Sequence, residues 1–131
     1  MYSSDQSQWD THQPGAKYQT AIEPLLHKFK VDMVVNGHMH CYERTWPNNN
    51  GTTSDTQNLN VFNQPSNPIW IVQGNAGAAI VERWIEPQPA WSAVRVLAYG
   101  YGRMSVFNST SLYYESRSVD GTVVDYFYLN K

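Results

Sequence analysis

A helical pattern, a short apolar run and a glycine follow one another between residues 18 and 37, and this succession constrains the fold most. Apolar side chains at helical spacing predict one apolar helix face, formed by Tyr18, Ile22, Leu25, Leu26 and Phe29. Pro24 predicts a kink or the start of a second short helix, because proline has no N–H to donate. Val31–Val35 is almost continuously apolar, which predicts a strand buried on both faces, as in a parallel sheet under helices. Helix, strand and then Gly37 indicate an α/β architecture.

The second half of the chain has a different pattern. Ile69–Val72 predicts another buried strand, and the Gly-rich residues 73–77 after it predict a tight turn beside the candidate site described below. Short strands joined by turns follow, and Asp120-Gly121 is typical of a β-hairpin. These strands are predicted at Val94–Ala98, Arg103–Phe107, Leu112–Ser116 and Val123–Leu129. The 131 residues form one segment: loop, helix, strand and histidine motif (1–46, with loop over 1–15), a polar loop (47–68) and a β-rich region (69–131).

Composition excludes several classes of partner. The net charge of -2 provides no basic field for nucleic acid or anionic lipid. No apolar run reaches the roughly 18 residues of a membrane span. The single cysteine, Cys41, excludes an internal disulfide. Asn50-Gly-Thr and Asn108-Ser-Thr match the N-glycosylation pattern and favour the secretory route, although the N-terminus has no signal-peptide pattern.

The stretch VVNGHMHCYERTWP places His38 and His40 directly after the first predicted strand. If the chain is extended there, the two imidazoles point to the same side. Ligands gather at the carboxyl ends of strands in open α/β sheets, and imidazole is a common metal ligand. Gly37 permits close approach of a ligand. Two interpretations remain open, a metal site and a pair of surface histidines, and a catalytic metal needs at least three protein ligands.

Several segments resemble one enzyme family. Gly37-His-Met-His40, followed by Tyr42-Glu-Arg44, resembles the last metal-binding motif of the purple acid phosphatases, which are calcineurin-like metallophosphoesterases. Further segments are similar to the C-terminal portion of these enzymes: Met1–Ser4, Glu23–Leu26, Ser92-Ala93, Tyr99–Arg103 and Asp125–Leu129. The resemblance covers essentially the whole chain.

The resemblance implies the C-terminal portion of a layered α/β-β/α sandwich (α/β, or α+β) closed by antiparallel strands. It implies hydrolysis of phosphate monoesters at acidic pH in a secreted, lysosomal or vacuolar protein. His38 would ligate the divalent ion (Zn, Mn or Fe(II)) of a dinuclear centre, and His40 the Fe(III) ion. The family's upstream ligand motifs are absent from this sequence. We therefore expect the N-terminal half as a missing partner, and little activity from this chain alone.

Truncation of this kind has a physical consequence. Without a partner layer, Val31–Val35 and Ile69–Val72 are expected to expose edges and apolar faces, which favours aggregation or a homo-oligomer.

Other residues each have two interpretations. His12 is a general acid or a solvated loop histidine. Glu43 and Arg44 orient a ligating imidazole or form a structural salt bridge. Cys41 is a metal-bound thiolate or a buried thiol, with the buried thiol favoured, and Tyr42 is a packing residue. Four aromatic residues line a substrate rim or belong to the core: Trp84, Trp91, Tyr99 and Tyr101.

Two other functions compete with the phosphatase. The first is a secreted, non-enzymatic β-rich module that binds a partner or a sugar through its aromatic residues, with incidental histidines. The second is a self-contained single-zinc protein. It needs a third ligand from His12, Asp5, Asp10 or Glu43.

Overall fold

The helices of the fold lie in the first quarter of the chain. The computed structural model describes residues 1–80 and 83–131. Within these ranges a 3-10 turn at Gln6–Gln8 is followed by α1 (Trp9–His12) and α2 (Lys17–Lys28). The expectation of loop over residues 1–15 is wrong, because the Asp5 side chain caps the 3-10 turn and accepts a hydrogen bond from the Ser7 N–H at 2.9 Å. None of these helices has the length and apolar character needed to cross a bilayer.

The strands form two four-stranded sheets and a small ribbon in the part of the chain that the structure describes. The first sheet has the order β1-β6-β2-β7 and the second the order β5-β10-β9-β8, while β3 pairs with β4. In chain order the strands are β1 (Met33–Asn36), β2 (Tyr42–Thr45), β3 (Asn48–Asn49), β4 (Thr52–Thr53), β5 (Val61–Asn63), β6 (Ile69–Gln73), β7 (Ser92–Val96), β8 (Gly100–Asn108), β9 (Ser111–Ser118) and β10 (Val123–Asn130).

The core lies between the two sheets, and α2 covers the other face of the first sheet. Buried side chains of both sheets meet in one cluster: Tyr42, Phe62, Ile69, Ile71, Tyr114, Phe127 and Leu129. A second apolar cluster joins Trp70 and Val34 of the first sheet to Ile22 and Leu26 of α2. The mixed layered architecture predicted from the sequence is confirmed, with a helical layer on the first sheet and antiparallel strands at the C-terminus.

The predicted helix is confirmed as α2, which continues through Pro24. Its predicted apolar face is only partly correct. Ile22 and Leu26 pack inward, but the other three apolar side chains are exposed: Tyr18, Leu25 and Phe29. The buried positions are instead Gln19 and Glu23. Glu23 is tolerated there because it accepts hydrogen bonds from the Tyr2 hydroxyl and from the Asn50 N–H.

The two apolar strands differ in burial. β1 pairs in parallel with β6 but lies at the sheet edge, and Val35 is exposed. The expectation that β1 is buried on both faces is therefore wrong. β6 lies between β1 and β2, and its residues Ile69–Val72 are fully buried. The predicted burial of β6 is confirmed, whereas the expectation that it exposes an edge and an apolar face is wrong.

The predicted C-terminal strands are confirmed as β7 to β10, with a hairpin at Asp120-Gly121 where Gly121 has a φ of 88°. The segment 47–68, predicted as a polar loop, contains three short strands. Its buried Phe62 and the parallel pairing of β5 with β10 attach this segment to the second sheet. The sequence did not predict β5 because its surroundings are polar and only one of its side chains, Phe62, enters the core.

Candidate metal-binding histidine turn

His38 and His40 lie in two consecutive γ-turns between β1 and β2. The Met39 N–H donates to the Gly37 carbonyl at 3.0 Å, and the Cys41 N–H donates to the Met39 carbonyl at 2.8 Å. His38, at the centre of the first turn, has a φ of 74°, a conformation that costs a side-chain-bearing residue about 1–3 kcal/mol. The chain is therefore not extended here as the sequence argument assumed. Both imidazoles are exposed, and Met39 between them is buried.

The end of β6 holds this turn in place. The Gly74 N–H donates to the Cys41 carbonyl at 3.1 Å, and a Cβ added to Gly74 would lie 1.9 Å from the Met39 carbonyl oxygen. Only glycine fits this contact. Residues 73–77 therefore lie beside the site as predicted, and the chain bends at Ala76 and Gly77. By contrast, a Cβ added to Gly37 would meet nothing within 4 Å, so the space beside the histidines is open.

Hydrogen bonds orient both imidazoles. His40 Nδ1 lies 2.8 Å from the Ala79 carbonyl oxygen. Because a carbonyl only accepts, Nδ1 carries the proton and Nε2 keeps its lone pair for a ligand. His38 Nε2 lies 3.0 Å from the Gln8 side-chain oxygen. Sequence reasoning did not single out Gln8 or Ala79, and no local pattern reveals contacts that span 30 and 39 residues.

His12 lies next to His38 in a cleft of about 500 Å³. The two ring centroids are 5.7 Å apart. The cleft is lined by Met1, Gln8, Thr11, His12, Tyr18, Asn36, Gly37 and His38. His12 is buried in α1 and is not the solvated loop histidine of the alternative interpretation. Its Nδ1 lies 3.0 Å from the Gln8 carbonyl oxygen, so Nδ1 donates and Nε2 is the free nitrogen. Burial lowers the pKa of His12, and the hydrogen bond to Gln8 opposes this shift.

Glu43 joins three segments behind the histidine turn. Its carboxylate accepts hydrogen bonds from the Ser4 N–H at 2.7 Å, the Ser4 hydroxyl at 2.6 Å and the Ser92 hydroxyl at 2.7 Å. Burial raises the pKa of Glu43, and the bonds from Ser4 and Ser92 reduce this shift. These contacts attach the start of the chain and β7 to β2. They are not contacts with an imidazole, so the structure gives Glu43 an architectural position.

Arg44 forms a structural salt bridge and does not orient an imidazole. Its Nε and Nη2 donate to the Asp125 carboxylate at 2.6 and 3.0 Å. The guanidinium also lies over the rings of Phe62 and Phe127, 5.6 and 5.1 Å from their centroids. Arg44 therefore ties the first sheet to the second. Tyr42 is fully buried in the same core, as expected for a packing residue.

Cys41 is fully buried behind the turn, and burial raises the pKa of its thiol to about 12. It is thus a neutral thiol. Across residues 1–80 and 83–131, no three His, Cys, Asp or Glu side chains are grouped to hold a metal ion. The hypothesis of a self-contained zinc site with a third ligand from His12, Asp5, Asp10 or Glu43 is therefore wrong for the described residues.

The remaining candidates are the two glycosylation sites and the four aromatic residues. Asn50 and Asn108, the two glycosylation candidates, are both exposed: Asn50 lies in the turn between β3 and β4, and Asn108 is the last residue of β8. Trp91 belongs to the core. Trp84 is half-buried, and the Arg95 guanidinium lies 5.3 Å from its ring centroid. Tyr99 and Tyr101 are exposed.

Comparisons with known proteins show what the chain is similar to. The family model described as iron/zinc purple acid phosphatase-like protein C matches residues 67–126. Acid phosphatase type 7 of Mus musculus is 36% identical over 107 residues, which is 79% of this chain and 24% of that protein. The Fe(3+)-Zn(2+) purple acid phosphatase 12 of Arabidopsis thaliana is 32% identical, over 84% of this chain and 24% of that protein. The chain thus spans about a quarter of the length of these relatives.

The fold is also similar to that of a purple acid phosphatase. The structure of the purple acid phosphatase PPD1 from yellow lupin (Lupinus luteus) seeds superimposes with a TM-score of 0.88 and 26% identity, covering 99% of this chain and 23% of the lupin chain. The chain is therefore a purple acid phosphatase-like sequence that corresponds to the C-terminal part of that fold.

Proposed function

We propose that the longer protein to which this chain corresponds hydrolyses phosphate monoesters at a dinuclear metal centre, and that His38 and His40 supply two of its ligands. The observation that supports this most is the double γ-turn, which holds two exposed imidazoles after a parallel strand at a cost in backbone strain. The name of the Arabidopsis relative supports an Fe(III)–Zn(II) pair, with Mn or Fe(II) as other divalent ions.

The donors present fit such ions. The Ala79 carbonyl fixes the His40 tautomer so that Nε2 is available, and a neutral imidazole suits zinc and iron. When bound, the ions activate a water molecule and offset the charge that develops on the phosphoryl oxygens. His38 and His40 would hold the ions at the carboxyl end of β1. Gly37 leaves the space beside them open to substrate.

We assign His12 the role of a proton donor to the leaving oxygen, or a direct contact to the phosphate. It faces the same cleft as His38, and its hydrogen bond to Gln8 leaves Nε2 free. Because burial lowers the pKa of His12, this imidazole carries its second proton only in acid. The acidic pH range expected for the enzyme agrees with this direction.

The chain alone supplies an incomplete ligand set among its described residues, so we propose that the remaining ligands come from an N-terminal half and that the chain alone has little activity. Three exposed apolar side chains support a surface that is covered in the longer protein: Leu25, Phe29 and Val35. We also propose glycosylation at Asn50 and Asn108 and passage through the secretory route. Loss of mass after enzymatic deglycosylation of the secreted protein tests this.

The metal proposal is tested by elemental analysis of the longer protein with His38→Ala and His40→Ala. We expect each variant to lose at least one ion per chain and most hydrolysis of p-nitrophenyl phosphate. His27→Ala is the matched control, since His27 is an exposed histidine in the last turn of α2. Unchanged metal content in both variants would falsify the ligand assignment. On the isolated chain, calorimetric titration with zinc should show weak binding only.

A further inference from the structure

A second cleft, of about 560 Å³, opens next to the loop that follows β6. It is lined by Ala76, Gly77, Tyr99, Gly100, Tyr101 and Val119. Tyr99 and Tyr101 are 44% and 49% exposed. The lining contains no charged side chain, and its polar groups are two phenols and backbone. Ligand sites combine an apolar concave wall with a few polar groups of this kind.

The walls of this cleft are fixed by hydrogen bonds. The buried Asn75 side chain donates to the Ala98 carbonyl at 2.6 Å, and the Asn75 carbonyl accepts from the Gly100 N–H at 3.0 Å. On the other side, the Val119 N–H donates to the Tyr99 carbonyl at 3.2 Å. A Cβ added to Gly100 would lie 2.1 Å from the Arg117 carbonyl oxygen. The backbone that carries the two tyrosines is thus held from both sides.

The cleft lies close to the histidine turn. Gly77 lines it, and Ala79, two residues further on, accepts the hydrogen bond from His40 Nδ1 at 2.8 Å. Two residues span at most about 7 Å. A substrate whose phosphate lies at His40 would therefore reach the cleft with its ester group.

We propose that this cleft binds the leaving group of the substrate and selects a planar aromatic ring, which makes Tyr99 and Tyr101 specificity-determining residues. The proposal rests on the proposed phosphatase function. Exposed aromatic faces bind planar rings by offset stacking, and Gly77 and Gly100 leave no side chains between ring and backbone. A second phosphate or a carboxylate would find no positive side chain in this lining, so the leaving group is an uncharged ring.

The kinetic test compares phenethyl phosphate with ethyl phosphate in the longer enzyme. Both release a simple alcohol, so their difference reports ring recognition and not leaving-group acidity. We expect Tyr99→Ala and Tyr101→Ala each to lower kcat/KM for phenethyl phosphate by about 5–10-fold and to leave ethyl phosphate unchanged. Tyr128→Ala is the control, a similarly exposed tyrosine (40%) on β10. A second pair, adenosine monophosphate and ribose phosphate, distinguishes a nucleoside ring from an aryl ring.

A binding measurement separates this proposal from the function beneath it. Phenethyl alcohol, added to the isolated chain, should shift the amide NMR signals of Gly77 and Gly100 in the wild type and not in the Tyr99→Ala/Tyr101→Ala variant. If neither phosphate is hydrolysed but these signals shift, the phosphatase assignment fails and ring recognition stands. If the signals do not shift, or both substrates lose activity equally in the variants, the leaving-group proposal is overturned.

Discussion

The ion pair between Arg44 and Asp125 offers the sharpest test of how the two sheets are joined. Arg44 is 0% exposed and donates to both carboxylate oxygens of Asp125. The Tyr42 hydroxyl donates to the same carboxylate at 2.6 Å. Burial raises the pKa of Tyr42 well above its usual value, so this hydroxyl keeps the proton that it donates. Asp125→Asn removes the charge with almost no change in volume.

The expected cost follows from burial. Removal of one partner from a buried pair leaves the other charge uncompensated, which costs about 3–5 kcal/mol. The hydrogen bond from Tyr42 is weakened as well, but its cost overlaps with that of the pair and is not added. In a domain of this size, each kcal/mol lowers Tm by about 3–5 °C. We therefore expect Asp125→Asn to lower Tm by about 9–25 °C.

Urea unfolding followed by tryptophan fluorescence measures the free energy directly. Asp32→Asn is the control, because the Asp32–Lys131 pair has side chains 38% and 55% exposed and contributes at most about 1 kcal/mol. Arg44→Met and Asp125→Leu, combined with Tyr42→Phe so that no buried hydroxyl loses its acceptor, should recover most of the loss, since the surrounding Phe62 and Phe127 rings accept apolar neighbours. A cost below about 1 kcal/mol for Asp125→Asn, or no recovery in the combined variant, would refute this reasoning.

Three further predictions concern other parts of the chain. Gly74→Ala should cost about 1–3 kcal/mol because its Cβ would overlap the Met39 carbonyl, whereas Gly37→Ala should be neutral; equal effects in urea unfolding would contradict this. The Arg117 hydrogen bond lowers the pKa of Glu115 from 4.5 to about 2. The stability that Glu115 contributes is therefore fully present above pH 4.5 and lost as the pH falls towards 2. In Glu115→Gln, the free energy of unfolding measured in urea should depend less on pH across that range. The isolated chain should self-associate through its exposed apolar helix face and β1 edge, and a monodisperse monomer in sedimentation analysis would count against this.

The sequence was most informative on strands that an apolar run or a turn marks. β6 and the four C-terminal strands followed from apolar runs and the Asp120-Gly121 turn. It was least informative on β5. Phe62 is the one fully buried residue of that strand, and its partner β10 lies more than 60 residues away. Periodicity within such a short polar segment is too weak to predict a strand whose partner is so distant in sequence.

The buried face of α2 was predicted only in part, for a related reason. Its apolar pattern predicted the helix correctly but not its buried face, because the inward positions include Gln19 and Glu23. Glu23 is satisfied by Tyr2 and Asn50, one upstream and one downstream of the helix. Such compensation is visible only after folding. The apolar residues left outside are those of the proposed surface that the longer protein covers, and the chain spans 24% of the length of the Mus musculus relative.

The histidine turn shows why residue identity was easier to predict than geometry. The sequence singled out His38 and His40 as candidate ligands, but it assumed extended backbone, in which both rings share a side by alternation. The structure instead exposes both rings through two tight turns around buried Met39. This arrangement depends on Gly74, more than thirty residues downstream, whose missing side chain admits the Met39 carbonyl. The strain at His38 persists because β6 fixes the turn, so a change at Gly74 should disturb the candidate ligands before it disturbs the fold.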